Sequence, residues 1–239
     1  MPFWEIYSYF YSSSLRNSFS YRRLLEDLSN TLRIREGERV LDAGCGPGLV
    51  IERIAEEARG RRISITGLDL SRRMMKRAHR TCKDLPNVKL QIADLNGPLV
   101  FPDGSFDQVV CCNTLYALGD PHRAISEFHR VLKPGGALII ANPKPNAGEM
   151  AHVREQITAL NELAPFYKKV YHIIASILLI PINLVVIAIN RIIVDKGRRG
   201  QYHFLAEEDL RRILQQLGFK NVNIRSCYAD QDWLVRAEK

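Results

Sequence analysis

The stretch VLDAGCGPG (Val40–Gly48) decides the fold, because an apolar run that ends in glycines predicts a buried strand turning sharply into a helix. The glycines at positions 44, 46 and 48 permit a tight bend and let a ligand lie directly against the backbone. A glycine-rich turn without a ligand is the alternative, since such a motif alone is weak evidence. The dinucleotide pattern GxGxxG is not met: the third glycine comes one residue early, and Leu49 stands where that pattern has glycine. Asp42, beside the loop, favours a cationic ligand over a pyrophosphate.

Apolar runs alternate with helical patterns on both sides of this stretch, which predicts an α/β fold with a Rossmann-like, doubly wound sheet of seven strands. The last two strands, joined by the short turn YADQ, are expected to pair as an antiparallel hairpin. Asp120 is expected to cap a helix that has Pro121 at its first position, and the sequence KPGG to end that helix. The predicted strands are 38–44, 63–69, 88–94, 106–112, 137–143, 221–227 and 232–238, and the other predicted helices are 49–59, 71–82 and 206–219.

These elements divide the chain into a core and two additions. The core takes residues 36–144 and 203–239, while residues 1–35 form an aromatic N-terminal segment. Residues 145–202 belong to none of the strand–helix units, so we expect a helical insertion between the fifth strand and the last helix.

Three aspartates fall at the carboxyl ends of the first three predicted strands, where ligands bind in open α/β sheets. Asp42 ends the first strand, Asp69 the second and Asp94 the third. Asp69 lies where a carboxylate accepts hydrogen bonds from both hydroxyls of a ribose, and Asp94 where it would accept one from an exocyclic amine. Each could instead cap a helix, but their joint placement favours a nucleoside-binding site.

Four segments in this order and spacing resemble the class I S-adenosylmethionine-dependent methyltransferases, above all the branch that acts on quinones, lipids and other small molecules. They are VLDAGCGPG, GLDLSRRMMKRA, IADLNGPLVFPDGSFDQVV and HRVLKPGGALII. The resemblance covers residues 35–142 strongly and the residues from about 200 onward more loosely.

The resemblance implies S-adenosylmethionine as the cofactor and assigns its contacts. Cys45 would serve in packing rather than as a nucleophile, and Tyr21 would help the N-terminal segment to close over the cofactor, together with Tyr7 and Tyr11. The alternative for these rings is that they cover a flank of the sheet. The residues implied in cofactor binding are Tyr21, Asp42, Gly44, Cys45, Gly46, Gly48, Asp69, Leu70, Met74, Asp94, Leu95 and Asn113.

Candidates for the chemistry follow the fourth strand and open the last helical unit. Methyl transfer needs a general base only where the acceptor must lose a proton. Tyr116, His122 and His203 are the candidates. Tyr116 would either line the pocket or pack in the core, and each histidine has a surface position as its plain alternative.

The apolar segment 170–194 carries no Asp, Glu, Lys or Arg up to Asn190, which is enough length to cross a bilayer. A single crossing would leave the last helix and hairpin on the wrong side to complete the sheet. The segment would therefore lie in the membrane interface, re-enter as two helices bent at Pro181, or cap the core as a lid or dimer contact. We favour peripheral contact with an anionic membrane and an apolar small-molecule or lipid substrate, with a homodimer as a further possibility.

The composition bounds the function class. The net charge of +8 favours an anionic partner. A nucleic-acid substrate is not expected, because CCNTLY after the fourth strand differs from the motif of amino-directed nucleic-acid enzymes. The five cysteines form no CxxC pair, so we expect reduced thiols and a cytoplasmic location, peripheral at the membrane. No cluster has metal-ligand spacing, so no metal is expected.

Overall fold

The computed structural model describes residues 15–16, 18–145, 170, 188 and 191–239. Within this part of the chain, seven strands form one sheet, and their order across it confirms the doubly wound fold. The strands are β1 (Arg39–Ala43), β2 (Ser64–Asp69), β3 (Val88–Ile92), β4 (Phe106–Cys112), β5 (Leu132–Pro143), β6 (Lys220–Cys227) and β7 (Asp232–Glu238).

The sheet has the order β3-β2-β1-β4-β5-β7-β6. The first five strands run parallel, and β7 lies antiparallel between β5 and β6. The predicted C-terminal hairpin is therefore confirmed. Because the chain order reverses beside β1, the loops after β1 and β4 diverge there and leave a crevice at the carboxyl ends of the strands.

Five helices of the described chain cover the sheet: α1 (Phe19–Leu32), α2 (Leu49–Glu57), α3 (Arg72–Thr81), α4 (Pro121–Val131) and α5 (Glu207–Gln216). Side-chain caps fix where three of them begin. The oxygens of Ser18, Ser71 and Asp120 accept hydrogen bonds from the backbone N–H three residues on, and each satisfies a donor that has no partner inside the helix.

Two apolar clusters pack on the opposite faces of the sheet. Leu24, Leu28 and Ile51 lie fully buried on the face covered by α1 and α2. Ile125 and Phe128 of α4 bury the other face, together with Leu210 of α5. Strands buried on both faces read as near-continuous apolar runs, which explains why VVCC and ALIIA are uniformly hydrophobic.

Two features differ from the sequence-based expectation. The strand β5 begins at Leu132 rather than at Ala137, because Leu132 already pairs with Phe106 and an irregularity takes up the sequence KPGG before the regular register resumes at Ala137. The helix α1 lies inside the segment 1–35, which was expected to form a lid or to cover a flank of the sheet without a predicted helix, and it packs Leu24, Leu28 and Leu32 into the core. Tyr7 and Tyr11 of the expected lid lie outside the described residues.

Most of the expected insertion, including nearly all of the segment 170–194, also lies outside the described residues. Residues 191–198 are helical, and Ile193 packs against Met74 and Tyr116. Among the helices that the structure describes, none combines the length and the apolarity needed to span a bilayer.

The approach of α2 to β2 generates a stability prediction at Gly67. A Cβ atom there would lie 2.7 Å from Cδ1 of Ile51 and 2.8 Å from Cδ2 of Leu90, so both side chains would have to move. We expect Gly67→Ala to lower the free energy of unfolding by about 1–3 kcal/mol through overpacking. Denaturant unfolding measures this. The matched control is Gly97→Ala, whose Cβ would meet only the Asp94 carbonyl at 3.7 Å; equal effects of the two substitutions would contradict the packing argument.

Candidate active site

A cavity of about 310 Å³ opens at the carboxyl ends of β1, β2, β3 and β4. Its wall consists of the loops that follow these four strands, with Tyr21 of α1 and Val50 and Met74 from the helices. The lining residues are Tyr21, Gly44, Cys45, Gly46, Pro47, Val50, Asp69, Leu70, Ser71, Met74, Ala93, Asp94, Leu95, Asn96, Cys112, Asn113, Thr114, Tyr116, Ala117 and Leu118. Strand order gives the cavity two ends, one at Leu70 and Asp94 and the other at Tyr21 and Asn113.

Asp69 joins two walls of the cavity. Its Oδ2 atom accepts a hydrogen bond from the backbone N–H of Gly46 at 2.9 Å, and its Oδ1 atom accepts one from Ser71 N–H at 2.8 Å. The carboxylate therefore fixes the glycine loop relative to the start of α3. Asp69 lines the cavity, and a carboxylate accepts up to about four hydrogen bonds, which suits the hydroxyl groups of a ligand.

Thr114 holds the glycine loop from the other side. Its hydroxyl group lies 3.3 Å from the Gly44 carbonyl oxygen and 3.1 Å from that of Cys112. A Cβ atom on Gly44 would overlap the Thr114 side chain, and Gly44 has a φ of 86°. Glycine is thus required here both by backbone conformation and by space.

At the opposite end, Asp94 and Asn96 shape the wall that follows β3. Oδ1 of Asp94 accepts hydrogen bonds from the backbone and side-chain nitrogens of Asn96, at 2.9 and 2.8 Å. The Asn96 Oδ1 atom in turn accepts from Gly119 N–H at 2.7 Å. This chain of bonds ties the wall after β3 to the loop after β4, and Leu70 and Leu95 supply apolar surface beside it.

The charge of the lining fits S-adenosylmethionine better than a dinucleotide. Among the described lining residues none is Lys, Arg or His, whereas Asp69 and Asp94 are both present. A Cβ atom at Gly46 would meet nothing within 4 Å, so the backbone is open to a ligand at that point. Apolar surface for a base, carboxylates for hydroxyl and amino groups and an excess of negative charge suit a nucleoside that carries a sulfonium group.

Asp42 lies behind this wall rather than on it. Its side chain is fully buried, and neither carboxylate oxygen has a hydrogen-bond partner in the described part of the chain. Burial, with a smaller contribution from the charge of Asp69, raises the pKa of Asp42 to about 8. The unpartnered carboxylate costs stability when it ionises, and it adds negative potential beneath the glycine loop.

Tyr116 satisfies both alternatives left open by the sequence. Its ring lines the cavity and is also buried, stacked on Phe204 at 5.3 Å and edge-on to Tyr202 at 5.6 Å. Its carbonyl oxygen accepts a hydrogen bond from His203 N–H at 2.7 Å. The ring therefore lies between the cavity and the 202–204 segment.

Eleven of the fifteen sequence-predicted site residues line the cavity, and four do not: Asp42, Gly48, His122 and His203. Gly48 instead allows α2 to approach α3, because a Cβ atom there would lie 3.0 Å from Cys82 Sγ and 3.2 Å from Ala78 Cα. His122 is exposed in the first turn of α4 and His203 is half-buried. The surface alternative stated for each histidine agrees with these positions.

Sequence reasoning missed several lining residues, of which Thr114 and Asn96 have the clearest roles. Both follow the end of a predicted strand, which is the signal that would have found them. Ser71, also missed, caps α3 and accepts from Met74 N–H. The other missed residues are Pro47, Val50, Ala93, Cys112, Ala117 and Leu118.

The cysteines have no nucleophilic role in this geometry. All five are buried and free of disulfide bonds. Burial raises the pKa of the Cys45 thiol far above its ordinary value, and the Asp42 and Asp69 charges add to the rise, so the reactive thiolate is disfavoured. Cys45 packs its sulfur 3.9 Å from that of Met75. Within the described residues, no group of three or more His, Cys, Asp and Glu side chains is placed to hold a metal ion.

Comparisons with known proteins find similar domains, chains and folds. Residues 41–140 match the family described as a methyltransferase domain. An uncharacterized 37.1 kDa protein in transposon TN4556 of Streptomyces fradiae is 36% identical over 52% of this chain and 34% of its own length. A demethylmenaquinone methyltransferase of Tropheryma whipplei is 33% identical over 57% of this chain and 49% of its own. The chain thus spans half or less of these two relatives. A Staphylococcus aureus demethylmenaquinone methyltransferase is 27% identical over 86% of this chain and 76% of its own length.

Solved structures share the fold at low identity. An S-adenosylmethionine-dependent methyltransferase from Aquifex aeolicus has a TM-score of 0.63 at 17% identity and covers all of this chain and 98% of its own. One from Mesorhizobium loti has a TM-score of 0.62 at 19% identity and covers 94% of this chain and 100% of its own. The match over residues 41–140 shows a methyltransferase domain, the solved structures share its fold, and the lining of the cavity suits S-adenosylmethionine.

The buried Asp42 carboxylate generates a prediction for Asp42→Asn. Because the folded-state pKa is raised, the folded protein binds more protons than the unfolded chain between pH 4 and 8, so Asp42 makes stability fall as the pH rises through this range. We expect the variant without ligand to gain about 1–3 kcal/mol in the free energy of unfolding at pH 8 and much less at pH 4.5. Above pH 8, where Asp42 ionises in the folded protein, the variant should bind S-adenosylmethionine about 10-fold more weakly, because the negative potential under the loop is lost.

Denaturant unfolding at the two pH values and calorimetric titration of the cofactor measure these effects. Asp84→Asn is the matched control, since Asp84 is exposed on the loop after α3. A stability gain that is the same at both pH values would contradict the assignment of the raised pKa to Asp42.

Proposed function

We propose that this protein transfers the methyl group of S-adenosylmethionine to an apolar acceptor, a quinone, isoprenoid or other lipid, while bound peripherally to an anionic membrane. Support for the acceptor class comes from the relatives named as demethylmenaquinone methyltransferases, one of which matches this chain over most of both lengths. The observation that carries the membrane part is the apolar and basic surface beside the cavity.

The cofactor supplies an electrophilic methyl group on a sulfonium ion, so the protein mainly has to bind, orient and exclude water. The polar contacts are concentrated at Asp69, Asp94 and the glycine loop. Elsewhere in the lining, Tyr21, Tyr116 and Leu118 present apolar surface, and the rings of Tyr21 and Tyr228 meet edge to face at 6.2 Å. An apolar acceptor fits this surface because its binding would keep the transferred methyl group away from water.

The helical residues 191–198 bring exposed apolar surface to the cavity. Ile193 is buried against the lining residues Met74 and Tyr116, which fixes the orientation of this segment. Its neighbours Ile192 and Val194 are 46% and 40% exposed, and Leu70 at the rim is 60% exposed. Large apolar side chains exposed close together at a pocket mouth are typical of a lipid-contacting surface.

Basic residues surround this apolar surface. Arg198 and Arg199 are exposed at the end of the segment, and Arg72 and Lys76 are exposed on α3, whose Met74 contacts Ile193. Arginine or lysine near an anionic bilayer contributes about 1 kcal/mol each. Both ends of the insertion also belong to the core, since residue 143 closes β5 and residue 207 opens α5. The insertion must therefore leave the core and return to it on the same side of the membrane. Peripheral contact allows this, whereas a single crossing does not.

The acceptor is tested by following the labelled methyl group of S-adenosylmethionine. Purified protein is incubated with a demethylated menaquinol in vesicles, reduced under anaerobic conditions, and in parallel with the aqueous metabolite fraction of a cell extract. We expect the label in the organic phase. Asp69→Ala should reduce transfer by at least about 100-fold. It removes the hydrogen bonds from Gly46 N–H and Ser71 N–H that join the glycine loop to the start of α3, and it removes the proposed acceptor for the ribose hydroxyls.

Asp84→Ala is the control and should transfer at the wild-type rate. Label confined to the aqueous phase would overturn the apolar acceptor and favour a methyltransferase for a small metabolite, with the insertion as a lid or dimer contact.

Membrane contact is tested by sedimentation with vesicles of phosphatidylglycerol and phosphatidylcholine, mixed and separate. We expect binding that needs the anionic lipid and weakens with salt. Ile192→Ser with Val194→Ser should lower the partition constant about 100-fold, because about 1.5 kcal/mol is lost for each apolar side chain removed from lipid, about 3 kcal/mol for the two.

The matched control is Val100→Ser, which removes an equally apolar side chain that is 84% exposed elsewhere. Equal losses in the control and the double variant, or undiminished binding of the double variant, would contradict contact through this surface.

A further inference from the structure

The hairpin turn between β6 and β7 has an unusual backbone that the function proposed so far does not explain. Three successive residues, Tyr228, Ala229 and Asp230, take left-handed φ angles of 51°, 54° and 63°. Residues other than glycine bear a steric cost in this conformation and normally adopt it singly. Strained backbone that persists in a folded protein clusters at functional sites, so the turn calls for a reason.

Hydrogen bonds hold the turn in this conformation. Lys144, the residue after β5, donates from Nζ to Asp230 Oδ1 at 2.5 Å and to Ser226 Oγ at 2.7 Å. Its backbone N–H donates to the Gln231 carbonyl oxygen at 2.9 Å, and the Gln231 N–H donates to the Tyr228 carbonyl oxygen at 3.1 Å. The turn is therefore tied to the carboxyl end of β5, which lies at the same edge of the sheet as the cavity because β5 runs parallel to β4.

The left-handed conformation decides where the Tyr228 ring lies. Along a strand, successive side chains point to opposite faces of the sheet. Cys227, the last residue of β6, packs in the apolar cluster on the face covered by α1, so a Tyr228 that continued the strand would point away from that cluster. Instead, the half-buried Tyr228 packs against the same cluster as Cys227. There it meets the Tyr21 ring edge to face, with 6.2 Å between the ring centres and 78° between the ring planes.

Tyr21 is the point at which α1 reaches the cavity. Of the described residues of α1, it alone lines the cavity, and it is 6% exposed. A second contact joins α1 to the same hairpin: Asp27 Oδ1 accepts a hydrogen bond from Arg225 Nη2 at 2.7 Å, and neither of these two residues lines the cavity. Tyr228 therefore touches α1 at the residue whose position matters to a ligand.

We propose that Tyr228 is a positioning residue: held by the left-handed turn, its ring fixes Tyr21 against the bound S-adenosylmethionine. The edge-to-face contact restricts the Tyr21 side chain before the cofactor arrives, so binding does not have to order it. The strain of the turn lowers the stability of the fold, and the gain is in cofactor affinity. The inference rests on S-adenosylmethionine as the cofactor, but on neither the proposed acceptor nor membrane contact.

Calorimetric titration with S-adenosylhomocysteine, without acceptor or vesicles, tests this role. Tyr228→Leu keeps an apolar side chain on the cluster but removes the ring. We expect it to weaken binding about 3- to 10-fold, because the ligand must then order the Tyr21 side chain. Tyr228→Phe keeps the ring and should bind within about 2-fold of wild type. Equal losses in the two variants, or an unchanged affinity of Tyr228→Leu, would overturn the proposal.

A double-mutant cycle shows whether Tyr228 acts through Tyr21. In a Tyr21→Leu background, Tyr228→Leu should cause no further loss of affinity, whereas additive losses would contradict the proposal. Arg225→Gln is the matched control, because it breaks the ion pair that joins α1 to the same hairpin and lies outside the cavity lining. It should leave the affinity unchanged; a loss as large as that of Tyr228→Leu would assign the effect to the docking of α1 in general.

A pair of substitutions at Asp230 tests the turn itself and leaves both rings in place. Asp230→Ala and Asp230→Gly both remove the acceptor for Lys144, but only glycine takes a φ of 63° without steric cost. We expect Asp230→Gly to bind S-adenosylhomocysteine about 3-fold more tightly than Asp230→Ala. Equal affinities or the opposite order would contradict the link between the turn and the cavity.

Wild-type protein alone separates this inference from the proposed acceptor. If it binds S-adenosylhomocysteine but methylates no quinol, the proposed acceptor is refuted and the role of Tyr228 is still decided by the variants. If it does not bind S-adenosylhomocysteine, both the cofactor and this inference are overturned.

Discussion

The chain reverses direction between Ala43 and Leu49, and the whole cavity depends on how tightly it does so. Gly44, Gly46 and Gly48 all take positive φ angles, which glycine adopts without the steric cost that other residues bear. Each also has a separate spatial reason. The first leaves room for Thr114, the second exposes its backbone to the cavity, and the third lets α2 pack on α3. One turn thus connects β4, the ligand site and the helical layer.

The Asp69 carboxylate converts this turn into a binding site. By accepting from Gly46 N–H and Ser71 N–H it joins the loops after β1 and β2. The bonds are charge-assisted, and they orient the carboxylate before any ligand arrives. Asp94 and Asn96 do the same for the loop after β3. The site is therefore held mainly by hydrogen bonds between side chains and backbone at the edge of a rigid sheet.

Two carboxylates, Asp42 and Asp232, are buried where they cost stability. Both have pKa values raised by burial, and each has at least one oxygen without a partner in the described residues. They flank the cavity, one beneath the glycine loop and the other behind Asn113. A neutral residue at either position would make the folded protein more stable.

The sequence by itself determined the order of the elements, the edge of the sheet where the site lies and most of the residues that line the cavity. Strands β4 and β7 have the bounds that their apolar patterns predicted, and Asp69 and Asp94 lie where the ends of β2 and β3 place them, since local periodicity and turn residues carry this information. Only the tertiary structure decided which polar groups are exposed to the ligand. Asp42 and Gly48 belong to the motif yet do not line the cavity, while Thr114, 70 residues from Gly44, packs against the glycine loop. Burial and pairing between distant strands depend on packing in three dimensions, which no local pattern records.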